Sequence, residues 1–145
     1  MFGIKLIHPN HLKHPYLNDG CTSVMNFSSE GKGPAIAANI PVGHRSLGYL
    51  YGIGCQKFVW AFEYTGTVEQ GREAALAQGI QPNVNWNIFR PFRFLAKVEP
   101  ESAPTADDIY QRTGFVFKPN RYTMRYISEK DYHAIFDAIW PKKAV

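Results

Sequence analysis

Cysteine is almost absent from this chain: Cys21 and Cys55 are the only two among 145 residues. They are far apart and form no CxxC pair, which excludes a zinc knuckle. Isolated cysteines of this kind serve as small apolar core residues, with the reduced thiol as their ordinary state. Long apolar runs are missing too, and none approaches the ~18 residues that a membrane helix needs. The opening MFGIKLIHPN is too short and too polar for a secretory signal. The expectation is a soluble, cytoplasmic protein with no membrane partner. The common catalytic signatures are also lacking. There is no GxSxG and no HExxH, and Gly31-Lys32-Gly33 is not a P-loop, because no GK[ST] follows it. No catalytic residue is assigned on these grounds. His8, His11 and His14 crowd HPNHLKHP, but prolines break that stretch and the spacing fits no standard zinc pattern. Neither a metal nor another cofactor is expected.

Aromatic side chains are what the chain has in abundance: ten Phe, eight Tyr and three Trp. Rings in that number point to β-structure or to stacking surfaces. The net charge is +4, a mild excess whose distribution matters more than its size. Asn83 to Val98 carries Arg90, Arg93 and Lys97 without an acid, and Ile109 to Ser128 carries Arg112, Lys118, Arg121 and Arg125 without one. Two ring-rich basic segments suit a face that tracks phosphates. They suit equally well two strands whose edge cations discourage aggregation.

The length fits one domain over residues 1–145. Alternation predicts a first strand over Met1 to Ile7, with Phe2, Ile4 and Leu6 opposing Gly3, Lys5 and Ile7. Residues 18 to 43 lack clear periodicity and read as a long connector, with room for a short helix around Ala35 to Asn39. Ser46 to Gly52 reads as a strand with Leu47, Tyr49 and Tyr51 on one face and Leu50 on the other. Phe58 to Val68 is the clearest strand: Phe58, Trp60, Phe62 and Tyr64 should share one face. Glu69 to Gln78 reads as a helix closed by Gly79. Trp86 then stands in a polar loop among asparagines, next to a basic strand, as a stacking ring or as a lid folded over a barrel mouth. Ile88 to Val98 reads as a strand pair or a bent strand, and Pro91 argues for an edge, a bulge or a strand start. Thr105 to Asp108 opens a short helix, and a hairpin is expected around Lys118 to Arg121. Ser128 caps a last helix with Asp131 at its third position, Ile127 and Tyr132 forming a hydrophobic staple, and Pro141 ending it. Helical spacing makes Trp140 a core residue.

This order of elements resembles the PUA-like superfamily, and within it the EVE and YTH-type domains, over roughly residues 40 to 140. VGHRSLGYLYG is similar to the family's entry strand, KFVWAFEYTG to its next strand, and ISEKDYHAIFDAI to its closing helix. NWNIFRPFRFLAKV looks like the segment where a loop Trp precedes a basic and apolar strand. His44 stands where aspartate is common, and the first strand lacks the tryptophan often found there. The resemblance implies an α+β fold: a PUA-like mixed β pseudo-barrel flanked by short helices, with a capped C-terminal helix. It also implies a nucleic-acid partner, DNA or RNA, from which one flipped and modified base is captured. By position, Trp86 would cage the base, with Tyr51 and Trp60 as walls. Arg90 and Arg93 would hold phosphates, and Asn26 and Ser23 would hydrogen-bond a base edge. The competing expectation is a small hydrolase or a small-molecule-binding domain on the same fold, with Cys21 or Cys55 and a histidine as nucleophile pair.

Overall fold

The computed structural model describes residues 1–7, 22–51, 56–79, 87–118 and 124–141, apart from the side chains of Thr22 and Ser23. Among the described residues it is a mixed α+β fold with six strands and four α-helices: β1 (Phe2–Ile7), β2 (Thr22–Phe27), α1 (Gly33–Asn39), β3 (Arg45–Leu50), β4 (Lys57–Tyr64), α2 (Val68–Ala77), β5 (Ile88–Lys97), α3 (Ala106–Thr113), β6 (Met124–Ile127) and α4 (Glu129–Ile139). The strands form one sheet in the order β2-β5-β4-β3-β1-β6. β1 and β3 run parallel, with Ile4 opposite Leu47, and the other neighbours are antiparallel.

The sheet is curled into a half-barrel. β1 and β2 stand four places apart in it, about 19 Å if it were flat. Yet Lys5 Nζ of β1 lies 5.0 Å from the centre of the Phe27 ring of β2. The concave face holds a core of Ile7, Met25, Phe27, Leu50, Trp60, Phe62, Tyr64 and Phe92, closed by Ala37 and Ile40 of the α1 region. Gly48 lets this face close, because a Cβ there would meet Ile7 Cδ1 at 2.5 Å and Trp60 Cβ at 3.1 Å. The convex face is covered twice. Ile109 of α3 and Tyr132 and Ile135 of α4 pack on Ile4, Leu47, Tyr49 and Phe58. Ala75 of α2 packs on Val24 and Phe89.

Two irregularities move side chains between faces. Gly48 pairs with Trp60 but Tyr49 with Phe58, so Val59 is an extra residue on β4. A bulge of this kind breaks the period of two. Val59 and Trp60 both join the concave core, while Phe58 packs on the convex side, away from Trp60, Phe62 and Tyr64 with which alternation had grouped it. Leu95 is likewise extra on β5, between Ala96 opposite Ala61 and Phe94 opposite Phe62.

Other expectations change as well. The stretch read as an irregular connector contains β2, an edge strand paired along its length with β5. β5 is one continuous strand inside the sheet, and Pro91 is tolerated there because β4 ends at Tyr64, opposite Phe92. The Pro91 carbonyl accepts from Thr65 N just past that end, so the donor that proline lacks costs no ladder bond of β4. β6 pairs with β1, and Phe115 to Phe117 is not a strand, so no hairpin forms from them. The helix caps follow the sequence: Thr105 and Asp108 form a reciprocal capping box, and Ser128 Oγ accepts from Asp131 N at 3.0 Å. Thr67 and Gln70 form a further box at the start of α2. No described helix is long and apolar enough to cross a membrane.

Candidate functional site

Of the residues singled out in the sequence, those whose side chains are described do not come together as one pocket. Trp60 is a core ring, edge-on to Phe94 at 5.0 Å within the apolar concave cluster, so its ring is engaged in packing and does not form the wall expected of it. Tyr51 packs with the convex cluster, on the opposite face of the sheet. Asn26 lies between Met25 and Phe27, both concave, and strand alternation turns it to the side of Val24 and Phe89. Ser23 is in register with Phe92 on the edge strand. Trp86, Cys21, Cys55, His8, His11 and His14 lie outside the described residues. Among the described residues no three His, Cys, Asp or Glu gather to hold a metal ion.

Arg90 corrects its expectation most clearly. It is 2% exposed, and its guanidinium donates from Nε to the Gly66 carbonyl at 2.7 Å and from Nη1 to the carbonyls of Ala37 and Ile40 at 2.7 and 2.6 Å. Ala37 and Ile40 end α1, a seven-residue helix with no basic residue in its last turn. Carbonyls at that end lack helical partners and carry the negative end of the dipole. Arg90 supplies their donors and their cation from β5, so it holds the fold rather than a phosphate. The sequence carried a signal for this: Arg90 is in phase with Phe92 and Phe94, while Arg93 is out of phase.

The polar groups that do converge lie beside Arg90, at the end of the half-barrel where β3 begins and β4 ends. His44 and Ser46 are fully buried, and His44 Nε2 is 2.9 Å from Ser46 Oγ. The Tyr64 ring lies 5.7 Å from the His44 ring and 5.4 Å from Arg90 Cζ. Tyr126, 48% exposed, stands edge-on to His44 at 5.6 Å. Two buried atoms here have no hydrogen-bond partner among the described residues: His44 Nδ1 and Tyr64 Oη. In the sequence His44 stands out only as a departure from the family pattern, and no motif there marks Ser46, Tyr64 or Tyr126 as site residues. The available signal was a polar His44 and Ser46 in phase with Gly48 and Leu50.

Charge at this end is one-sided. Lys5 and Arg90 are buried on the concave side, and no described carboxylate is buried with them. Burial pulls the Lys5 ammonium down to about 8, so it still carries its charge at neutral pH. On the convex face, one residue along from His44, Tyr64 and Phe92, stand Arg45, Glu63 and Arg93 in a cross-strand row. Glu63 Oε2 is 2.9 Å from Arg93 Nη2 and 3.5 Å from Arg45 Nε, with the two arginine side chains 53% and 44% exposed. One carboxylate thus serves two exposed guanidinium groups.

His44 is neutral at physiological pH. Burial, then the positive charges of the amino terminus and Arg90, lower it from 6.5 to about 4. Between those values an unfolded imidazole takes a proton that the folded one refuses, so stability falls as pH falls below 6.5. Between pH 6.5 and 5, above the carboxylate range, the expected loss is about 2 kcal/mol. Urea unfolding across that interval reads it, and His44→Gln should flatten the slope. A flat profile in the unaltered protein would show that His44 accepts its proton while folded.

No protein-family model matches this chain, and no curated protein sequence does. Solved structures do. A structural-genomics crystal structure from Pseudomonas putida superposes with a TM-score of 0.63 at 8% identity, over 95% of this chain and 99% of that one. A second, from Pseudomonas syringae, gives 0.59 at 9% identity, over 94% and 97%. At such identities the likeness is one of fold: the curled mixed sheet with its helices is an architecture that this chain shares with both bacterial proteins.

Proposed function

We propose that this chain is a nucleic-acid-binding module of PUA-like fold that captures one extruded, modified base at the end of the half-barrel where His44, Tyr64 and Tyr126 meet. The observation that carries the reading is the placement of two rows on either side of the same strand ends. One row offers rings and uncharged hydrogen-bonding groups on the concave side, and the other offers Arg45 and Arg93 on the convex side. A base inserted at the first row leaves its backbone at the rim, within reach of the second. Extruding a base costs a few kcal/mol, and stacking on a ring such as Tyr126 returns about 1–3 kcal/mol. The unneutralised Lys5 and Arg90 add a positive potential inside. Trp86, two residues before β5, keeps its expected role as a second ring.

One contact favours a second reading, a small hydrolase. Ser46 Oγ stands within reach of His44, as a nucleophile stands to its base. Such a base also needs a third group on its other ring nitrogen, and His44 Nδ1 meets none among the described residues. Base capture gives that nitrogen a role; hydrolysis leaves it idle.

The test is tryptophan fluorescence titration with short single-stranded oligonucleotides, plain and base-methylated, at two salt concentrations. Binding should weaken with salt, and Arg45→Ala with Arg93→Ala should lower affinity for every sequence and reduce the salt slope by about 1–2. An unchanged slope in the folded double variant would place the phosphates elsewhere.

A further inference from the structure

We infer that His44 Nδ1 and Tyr64 Oη form the polar floor of this site and read an edge of an uncharged planar heterocycle, one carrying a donor beside an acceptor as nucleobase edges do. The inference rests on the nucleic-acid reading above and adds to it the atoms that select the base.

Buried polar atoms in folded proteins nearly always find partners, and an unpartnered one calls for an explanation. Among the described residues three such atoms occur; Tyr132 Oη lies with the convex cluster, and the other two are on adjacent side chains, with ring centres 5.7 Å apart, beside the half-exposed Tyr126. A buried polar atom left unpaired costs stability. Such a cost persists at sites where a ligand supplies what the fold withholds. The pair is adaptable. When Nε2–H donates to Ser46 Oγ, Nδ1 is an acceptor; when the Ser46 hydroxyl donates to Nε2, Nδ1 carries the proton and donates. The Tyr64 hydroxyl can take the complementary role in either case. Both groups are uncharged near neutral pH, since burial lowers His44 and raises the Tyr64 phenol. An uncharged floor suits a base edge, whereas a phosphate would call for donors alone. Arg90, whose guanidinium lies over the Tyr64 ring, already gives Nε and Nη1 to three carbonyls.

The decisive variants are Tyr64→Phe and His44→Gln. The first deletes one hydroxyl. The second keeps an amide at the reach of Nε2 for Ser46 while deleting Nδ1. Each is titrated with free nucleosides and with short oligonucleotides that differ in one base, which separates recognition of a base alone from recognition within a strand. The unaltered protein should prefer one base, and each variant should lose that preference by about five- to tenfold while keeping its salt-dependent binding. Tyr64→Phe should at the same time melt higher, by roughly 3 °C, because the hydroxyl it loses has no partner among the described residues. A role confined to the fold does not produce tighter folding with weaker selection. Variants that rank the bases as the unaltered protein does would overturn this inference and leave the nucleic-acid reading in place. So would a lower melting temperature for Tyr64→Phe. No binding of any nucleoside or oligonucleotide by the unaltered protein would overturn both.

Discussion

Arg90→Ala should cost the fold about 3–5 kcal/mol, because it removes a buried cation and leaves three buried carbonyls without donors. Domains of this size are stable by only about 5–15 kcal/mol, so much of the total is lost. The loss centres on α1. Seven residues are too few to hold a helix by themselves, and the carbonyls of Ala37 and Ile40 at its end depend on Arg90. Arg90→Lys should recover less than half of the loss. An ammonium on a shorter stem does not span Gly66 and the end of α1 as the guanidinium fork does. Urea midpoints of the two variants measure both effects. A stable Arg90→Ala protein that had lost only oligonucleotide affinity would return Arg90 to the role that sequence assigned it.

Gly71→Ala should also destabilise the fold, in a place where helix propensity argues the other way. Alanine gains about 1 kcal/mol over glycine inside a helix. But a Cβ at position 71 would stand 2.1 Å from the Phe89 carbonyl oxygen, 2.4 Å from its carbon and 2.8 Å from Arg90 N. All three are backbone atoms of β5, an interior strand, and none can swing aside. α2 would have to lift from the sheet, opening the cluster of Val24, Ala75 and Phe89. Overpacking of this kind costs about 1–3 kcal/mol and at times more. Set against the propensity gain, the expected net loss is up to about 2 kcal/mol, roughly 5 °C in melting temperature. Thermal unfolding followed by circular dichroism measures it, and a melting temperature at or above that of the unaltered protein would contradict the close packing of α2 on β5.

These two positions show what the sequence makes legible. Helix caps and the alternation of β3 are legible locally. Capping residues placed the starts of α3 and α4, Gly79 follows the end of α2 at φ +71, and Leu47, Tyr49 and Tyr51 share the face that alternation gave them. What failed depends on contacts between distant strands. The extra residues Val59 and Leu95 are set by neighbouring registers, and nothing in KFVWAFEY marks the slip. β2 was missed because TSVMNF has weak alternation and gains its ladder only from β5. Position in the resemblance gives Arg90 a phosphate to hold, whereas its phase with Phe92 and Phe94 turns it to the concave core. His44 and Tyr64 lie twenty positions apart in sequence and meet only because β3 and β4 pair. Their unpartnered atoms, which carry the account of the site, are a property of packing that no sequence pattern encodes.

The most direct test is photo-crosslinking of the unaltered protein to a short single-stranded oligonucleotide carrying one halogenated base, with the modified peptide identified by mass spectrometry. A base held at the end of the half-barrel predicts adducts on the β6 peptide that contains Tyr126, diminished in Tyr64→Phe. Adducts confined to α2 or α4 while the oligonucleotide is bound would contradict it, and would move the binding face to the convex side of the sheet.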